Sequence, residues 1–159
     1  MSLLKVDTIQ GRSGTSIGLT SGHTLTGMGS LTEVDNWQLT ANITSDGDIT
    51  SNLQRMVGDA TGYKGTGMTV SSGVFTFPST GLWEVIVHAN FEINNDPSAE
   101  ISIKACTDGS TFSRVGAAAI GNRSATGAHY YLFDASQFID VTDTSQVKVM
   151  FASSSLASA

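Results

Sequence analysis

Residues 82–93 constrain the fold of this chain more than any other segment, because apolar and polar side chains alternate along them. One set of alternate positions is entirely apolar and consists of Trp83, Val85, Val87, Ala89, Phe91 and Ile93. The positions between them include Glu84, His88, Asn90 and Glu92. Successive side chains of a β-strand point to opposite faces of a sheet. The pattern therefore predicts one long strand with a buried face and a polar face.

Shorter segments of the same kind predict further strands at 37–43, 101–105, 112–120, 129–139 and 147–151. Turn-forming residues separate them, as at Asp108-Gly109 and across 140–143. Pro78 and Pro97 both fall at predicted strand ends, where a missing amide proton does no harm. Charged residues make up only 14% of the chain, against about 25% in an ordinary domain. These features predict an all-β fold.

The first thirty residues have a different composition from the rest of the chain. They alternate short apolar pairs with Gly-Ser and Gly-Thr steps and contain no aromatic residue. Such a segment cannot offset its own ordering entropy by burying a core. We expect an extended arm over 1–32, ordered mainly where it lies on another surface, followed by one domain over 33–159. A floppy N-terminus is the alternative.

Charge and cysteine content exclude several classes of protein. The chain has 8 Lys and Arg against 14 Asp and Glu, a formal charge of -6, which argues against a nucleic-acid partner. Cys106 is the single cysteine and cannot close an intramolecular disulfide. No apolar run approaches the roughly 20 residues that span a bilayer, and residues 1–5 lack the apolar region of a secretory signal. We expect no membrane insertion and no ordinary export.

Residues 129–133, His-Tyr-Tyr-Leu-Phe, break the alternation because aromatic or apolar side chains point to both faces. A strand of a two-layer sandwich has only one face on the core. The second face, which includes Tyr130 and Leu132, therefore needs another cover, and a neighbouring subunit is the simplest one. A loop folded over the strand end is the alternative.

Residues 62–92 carry a more specific motif, Gly-x-Phe-x-x-Pro-x-x-Gly-x-aromatic, read at Gly73, Phe75, Pro78, Gly81 and Trp83. This stretch resembles C1q-like domains, the jelly-roll family allied to tumour necrosis factor, although Trp83 stands where tyrosine is commoner. The resemblance covers about residues 34–153. It implies a two-sheet antiparallel jelly-roll sandwich that forms a homotrimer. Tyr130 and Leu132 are then the candidate trimer-interface residues.

The resemblance stops before the final strand of the family, because the chain finishes on the small and polar run 153–159. C1q-like domains close with one more apolar strand. We expect either that this sequence is part of a longer protein or that another chain supplies the last strand. Without it, one sheet would expose an unpaired apolar edge.

The arm carries a second resemblance. LLKVDTIQGRSGTS at 3–16 and LTSGHTLTG at 19–27 are similar to the openings of structural proteins from tailed bacteriophages, notably marine and cyanobacterial ones. The resemblance implies that residues 1–32 dock onto other virion proteins, of the capsid or the tail. It also implies a location in the virion, assembled in the host cytoplasm.

Motifs for catalysis or metal binding are absent from the sequence. The three histidines have no cysteine or carboxylate at zinc-ligand spacing. Asp46 with Asp48, and Asp140 with Asp143, could offer oxygen ligands to Ca²⁺, but turn formation explains them better. Glu84 and Glu92 lie on one strand face at roughly 26 Å, too far apart for glycoside cleavage. We expect no cofactor, no metal and no enzymatic activity.

The segment 116–127 is rich in small and polar residues and predicts an exposed tip loop. Asn122 and Arg123 are its candidate contacts to a host surface receptor or glycan, with an ordinary surface loop as the alternative. Together these features predict a bacteriophage virion structural protein, either a tail-fibre tip or a capsid decoration protein. A secreted C1q-like lectin module that binds carbohydrate or protein is the alternative, and a glycan-cleaving depolymerase is a third hypothesis.

Overall fold

The computed structural model describes residues 31–58, 62–94, 98–120 and 128–156. Within these ranges the chain forms β-strands and turns and contains no helix, so the predicted all-β class is confirmed. The strands are β1 Trp37–Leu39, β2 Gly47–Asp48, β3 Leu53–Arg55, β4 Thr69–Ser71, β5 Val74–Thr76, β6 Gly81–Asn94, β7 Ala99–Cys106, β8 Ser113–Ile120, β9 Ala128–Val141 and β10 Lys148–Ser154. No helix of the described residues is long and apolar enough to cross a membrane.

Most of the strands belong to one antiparallel sheet, in the order β4-β5-β10-β7-β8. β2 adds to the sheet by pairing with the far end of β10, where Ala152 lies opposite Asp48. β10 runs through the middle of this six-stranded sheet and pairs with β7 along its whole length, from Lys148 opposite Cys106 to Ser154 opposite Glu100. The last strand of the chain is therefore a central one.

β6 and β9 form a second, two-stranded antiparallel sheet, which we call the ribbon. Their register runs without interruption from Gly81 opposite Val141 to Asn94 opposite Ala128. This confirms the long strand predicted at 82–93 and the strand predicted at 129–139, each extended by a few residues.

β1 and β3 form a third, two-stranded antiparallel sheet. The six-stranded sheet and the ribbon share one hydrophobic core, which makes the fold a sandwich. Phe75 and Val149 contribute from the six-stranded sheet, and Phe77 contributes from the segment directly after β5. Val85 and Ile139 contribute from the ribbon. The remaining buried members of the cluster are Ile103, Ala135, Val141 and Val147. Burying such side chains stabilises the fold by about 1.5–3 kcal/mol each.

The strand expected at 37–43 is only partly formed, and the longer prediction is wrong. β1 ends at Leu39, since its partner β3 offers only three residues, and Leu39 is exposed. The Thr40 amide then donates to the carbonyl of Asn52, a residue with a φ of 59° that begins the return towards β3. Apolar and polar residues continue to alternate after Leu39, but β3 offers no further residue for them to pair with.

Gly73 shows why the turn between β4 and β5 needs glycine. Its φ is 78°, and a Cβ at this position would overlap the Ile49 carbonyl oxygen and lie 2.8 Å from the Cα of Thr50. The close backbone approach brings the segment after β2 onto the β4–β5 turn.

The described residues from Thr32 onwards belong to one compact unit. The predicted arm, 1–32, falls almost entirely outside the described residues and stays a prediction. The candidate tip-loop residues Asn122 and Arg123 also lie outside them.

Candidate interaction surface

The ribbon has one face on the core and one face that no described residue covers. We call the second the outer face. Large apolar side chains are concentrated on it: Leu82 is 71% exposed, Ile86 49%, Tyr130 66%, Leu132 73% and Phe138 61%. These are half of the exposed large hydrophobic residues in the described part of the chain. Exposed apolar residues scattered singly need no explanation, but several of them on one sheet face mark a candidate interaction site.

Strand periodicity explains how these residues come to share a face. In β6 the core side of the ribbon takes Val85 and its alternate neighbours, which leaves Leu82 and Ile86 on the other side. In β9 the core takes Ala135 and Ile139, which leaves Phe138 outside. Fourteen paired residues at about 3.3 Å each make the ribbon roughly 45 Å long.

A hydrogen-bonded histidine-aspartate pair divides the outer face into two apolar ends. His88 lies directly opposite Asp134, and the His88 Nδ1 is 2.6 Å from the Asp134 Oδ1. One apolar end comprises Leu82, Ile86 and Phe138, and the other comprises Tyr130 and Leu132. The sequence motifs give His88 no partner, and it is the pairing of β6 with β9 that brings the carboxylate to it.

Carboxylates give the rest of the outer face its charge. Glu84, Glu92 and Asp140 are exposed on it, together with Asp134. The Nε2 of His88 makes no hydrogen bond within the described residues. The face is thus apolar and acidic, with one imidazole at its middle.

Aromatic rings support β9 from behind the outer face. The ring centroids of Tyr131 and Phe133 are 6.1 Å apart and stacked, and Phe133 lies 5.9 Å from Phe91 of β6. These side chains are half-buried on the core side of the ribbon. They hold the strand that presents Tyr130 and Leu132 in place, which is what a recognition surface requires.

The two predicted interface residues thus lie on the same outer face and are strongly exposed. The prediction that 129–133 carries apolar side chains on both faces is confirmed in geometry, and no described loop covers the second face. Leu82, Ile86 and Phe138 were missed as members of this surface. Ile86 could have been noticed as the apolar residue on the polar side of 82–93, but only the register shows that Phe138 lies beside Glu84.

Three of the four aspartates considered for Ca²⁺, Asp46, Asp48 and Asp143, make hydrogen bonds within the fold, and Asp140 is exposed on the outer face. Asp46 accepts the amides of Ser155 and Leu156, at 3.1 and 2.7 Å. Asp48 accepts the Lys104 ammonium at 2.7 Å. In the described ranges no group of three or more His, Cys, Asp or Glu side chains could hold a metal ion.

No protein-family model matches the sequence, and no curated protein matches it at a significant level.

Proposed function

We propose that this chain is a structural protein of a bacteriophage virion, whose β domain forms a homotrimeric jelly-roll head and whose residues 1–32 attach that head to the particle. The observation that carries the proposal is the apolar outer face of the ribbon. In this proposal the function of the protein is assembly and recognition, and the protein catalyses no reaction.

Self-assembly accounts for the outer face better than a small ligand does. A ribbon about 45 Å long and about 10 Å wide presents roughly 450 Å², more than half of the about 800 Å² that each partner buries in a specific interface. A sheet face is an open surface, whereas small-molecule sites are concave clefts with a few convergent polar groups. In a closed threefold ring the outer face of each subunit packs against a different surface of its neighbour, and such a ring agrees with the C1q-like resemblance.

The assignment to a virion is supported by the similarity of 3–16 and 19–27 to the openings of tailed-phage structural proteins. In this proposal the arm contacts other virion proteins of the capsid or tail. The head then faces outward, where the loop containing Asn122 and Arg123 contacts a host surface receptor or glycan.

The trimer is tested by replacing one apolar side chain of the outer face with a charge. Leu132→Asp places a carboxylate near Asp134 in a buried interface. We therefore expect the variant to have one third of the mass of the wild-type oligomer. The measurement is sedimentation velocity at low micromolar concentration. The wild type should have a mass that is a multiple of three times 16.6 kDa.

The matched control is Val115→Asp, which changes an exposed apolar residue of β8 in the other sheet. It should keep the wild-type mass. A monomeric wild type, or a Leu132→Asp variant that keeps the full mass, would overturn the trimer.

The location is tested with antibodies raised against the head. Immunogold labelling of phage particles that encode this sequence should place gold on the capsid or on the fibre tips, and the position distinguishes a decoration protein from a tail-fibre head. Unlabelled particles, with the protein found only in the soluble lysate, would exclude the virion assignment.

A further inference from the structure

The outer edge of β6 is a second interaction surface, distinct from the outer face. In the described part of the chain β6 pairs only with β9, so the backbone groups on its other side have no strand partner. Edge groups point along the plane of the sheet, whereas the side chains of the outer face stand perpendicular to it. The two surfaces can therefore bind different partners at the same time.

The edge carries the two carboxylates Glu84 and Glu92 but lacks the other features by which proteins prevent strand pairing. Natural edges are protected by lysine, proline, bulges or short length. β6 contains neither lysine nor proline, its register with β9 has no bulge, and it runs for fourteen residues. An edge of this kind is a template for one more antiparallel strand.

A second copy of β6 fits that template in one register. If the twofold axis passes through Ile86, directly opposed residues lie on the same face of the extended sheet. Glu84 of each copy then faces His88 of the other, and Ile86 faces its own counterpart. On the core side, Val85 faces Val87, so apolar residues meet as well.

The neighbouring registers are worse. A twofold axis at His88 sets Glu84 against Glu92, which is a like-charge pair across the strands. An axis at Val87 sets Ile86 against His88 and Leu82 against Glu92, so that apolar and charged side chains oppose each other. Opposite-charge and matched apolar pairs stabilise a sheet, whereas like charges destabilise it.

The existing pair on the ribbon favours the same register. His88 uses Nδ1 for Asp134 at 2.6 Å, which leaves Nε2 available. Glu84 makes no hydrogen bond within the described residues. In the Ile86-centred register each imidazole has one carboxylate from its own chain and one from the second copy.

From this complementarity we infer that β6 pairs with β6 of a second copy, antiparallel about Ile86, and joins two ribbons into one four-stranded sheet. The pairing is isologous and closed, so it forms a dimer and not a fibre. The pairing does not depend on the proposed trimer, in which each head would present three such edges.

Disulfide trapping tests the register directly. Opposed Cα atoms in an antiparallel pair are about 4.5–5.5 Å apart, within the range of a disulfide. Ile86→Cys should therefore give a disulfide-linked dimer under mild oxidation, read on a non-reducing gel. The native Cys106 is buried and should not interfere.

Two matched variants fix the register. Glu84→Cys and His88→Cys, each alone, lie about 13 Å along the strand from their own counterparts and should crosslink at least about tenfold less. Mixed together, these two variants should crosslink with each other. Crosslinking of His88→Cys alone, or none by Ile86→Cys, would overturn the inference.

All variants are made in the Leu132→Asp background, where the proposed face contact is removed. A crosslinked dimer there supports edge pairing whatever the fate of the trimer. If Leu132→Asp keeps the wild-type mass, the trimer fails while the crosslinking pattern still decides the pairing of β6.

Discussion

Arg55 is the residue that ties the segment before β1 to the loop before β4. Its guanidinium makes two hydrogen bonds to Asp35, at 2.9 and 3.0 Å, and donates to the Met68 carbonyl. It lies over the rings of Trp37 and Tyr63, at 4.9 and 4.6 Å from their centroids. Paired guanidinium-carboxylate contacts of this geometry are stronger than single ones.

Removing this guanidinium should be costly because the Asp35 side chain is only 3% exposed. We expect Arg55→Ala to lower the free energy of unfolding by about 3–5 kcal/mol, since it leaves a buried carboxylate without its counter-charge. Arg55→Lys should recover little of this, because a lysine cannot make the two parallel hydrogen bonds. Urea denaturation provides the measurement.

Arg114→Ala is the control for that prediction. Arg114 pairs with Glu100 at 2.6 Å but is 60% exposed, so its loss should cost less than about 1 kcal/mol. If Arg55→Ala and Arg114→Ala lowered the free energy of unfolding equally, the burial of Asp35 would add nothing to the contribution of its ion pair.

Neither Asp35 nor the Met68 carbonyl could be predicted from the sequence as a hydrogen-bond partner of Arg55. Asp35 is 20 residues away, and the Met68 carbonyl is a backbone group that carries no sequence signal. The sequence pattern predicted a strand beginning at Trp37 but gave no reason to place a cation against its ring.

Two aspartate turns lie side by side at one end of the six-stranded sheet. Asp108 accepts the amides of Ser110 and Thr111, at 2.9 and 2.6 Å, in the turn between β7 and β8. Asp143 accepts the hydroxyl and the amide of Ser145, at 2.7 and 2.8 Å, in the turn before β10. The Gly109 amide joins the two turns by donating to the Gln146 carbonyl at 2.8 Å.

These hydrogen bonds make the turns sensitive to acid. The Thr111 side chain, followed by the amides of Thr111 and Ser110, lowers the pKa of Asp108 far below its ordinary 3.8. The Ser145 side chain and amide lower the pKa of Asp143 in the same way. A depressed pKa adds stability above the unfolded pKa, and this stability is lost as the pH falls through the folded pKa.

We therefore expect the free energy of unfolding to fall as the pH drops below about 4. The double variant Asp108→Asn, Asp143→Asn cannot titrate at these turns, so its stability should fall less steeply over that range. Denaturant titrations between neutral pH and pH 2 provide the comparison. Parallel curves for variant and wild type would contradict the assignment of acid sensitivity to these turns.

The long elements could be predicted from the sequence, and their pairing could not. Alternation over 82–93 is strong enough to identify β6, because apolar residues at every second position over twelve residues do not fit the 3.6-residue period of a helix. The length of β1 was overestimated because it depends on the partner strand β3. The turn at Asn52 determines where β3 begins. The His88–Asp134 pair required the register of β6 against β9, which no local pattern encodes.

At the scale of the whole molecule, the proposed assembly should couple stability to concentration. If the outer face is buried only in the oligomer, folding and association share their free energy, and Tm rises with protein concentration. We expect Tm of the wild type to rise by several degrees between about 1 and 100 micromolar, because a 1 kcal/mol change moves Tm by roughly 2–8 °C. Differential scanning fluorimetry across this range is the measurement.

The double variant Leu132→Asp, Ile86→Lys removes both proposed contacts and is the reference for that experiment. Its Tm should be independent of concentration. A wild-type Tm that is equally flat would mean that the folded domain is stable without partners.

The central position of β10 has a consequence for how the chain folds during synthesis. β5 and β7 both pair with β10, and β2 joins the sheet only through it. Until residues 148–154 leave the ribosome, these earlier strands have a gap between them and expose unpaired edges. At about 5–20 residues per second, most of the chain waits several seconds before its larger sheet can close. Non-local pairing of this kind slows folding. We therefore expect the protein to be most prone to aggregation while it is still being synthesised.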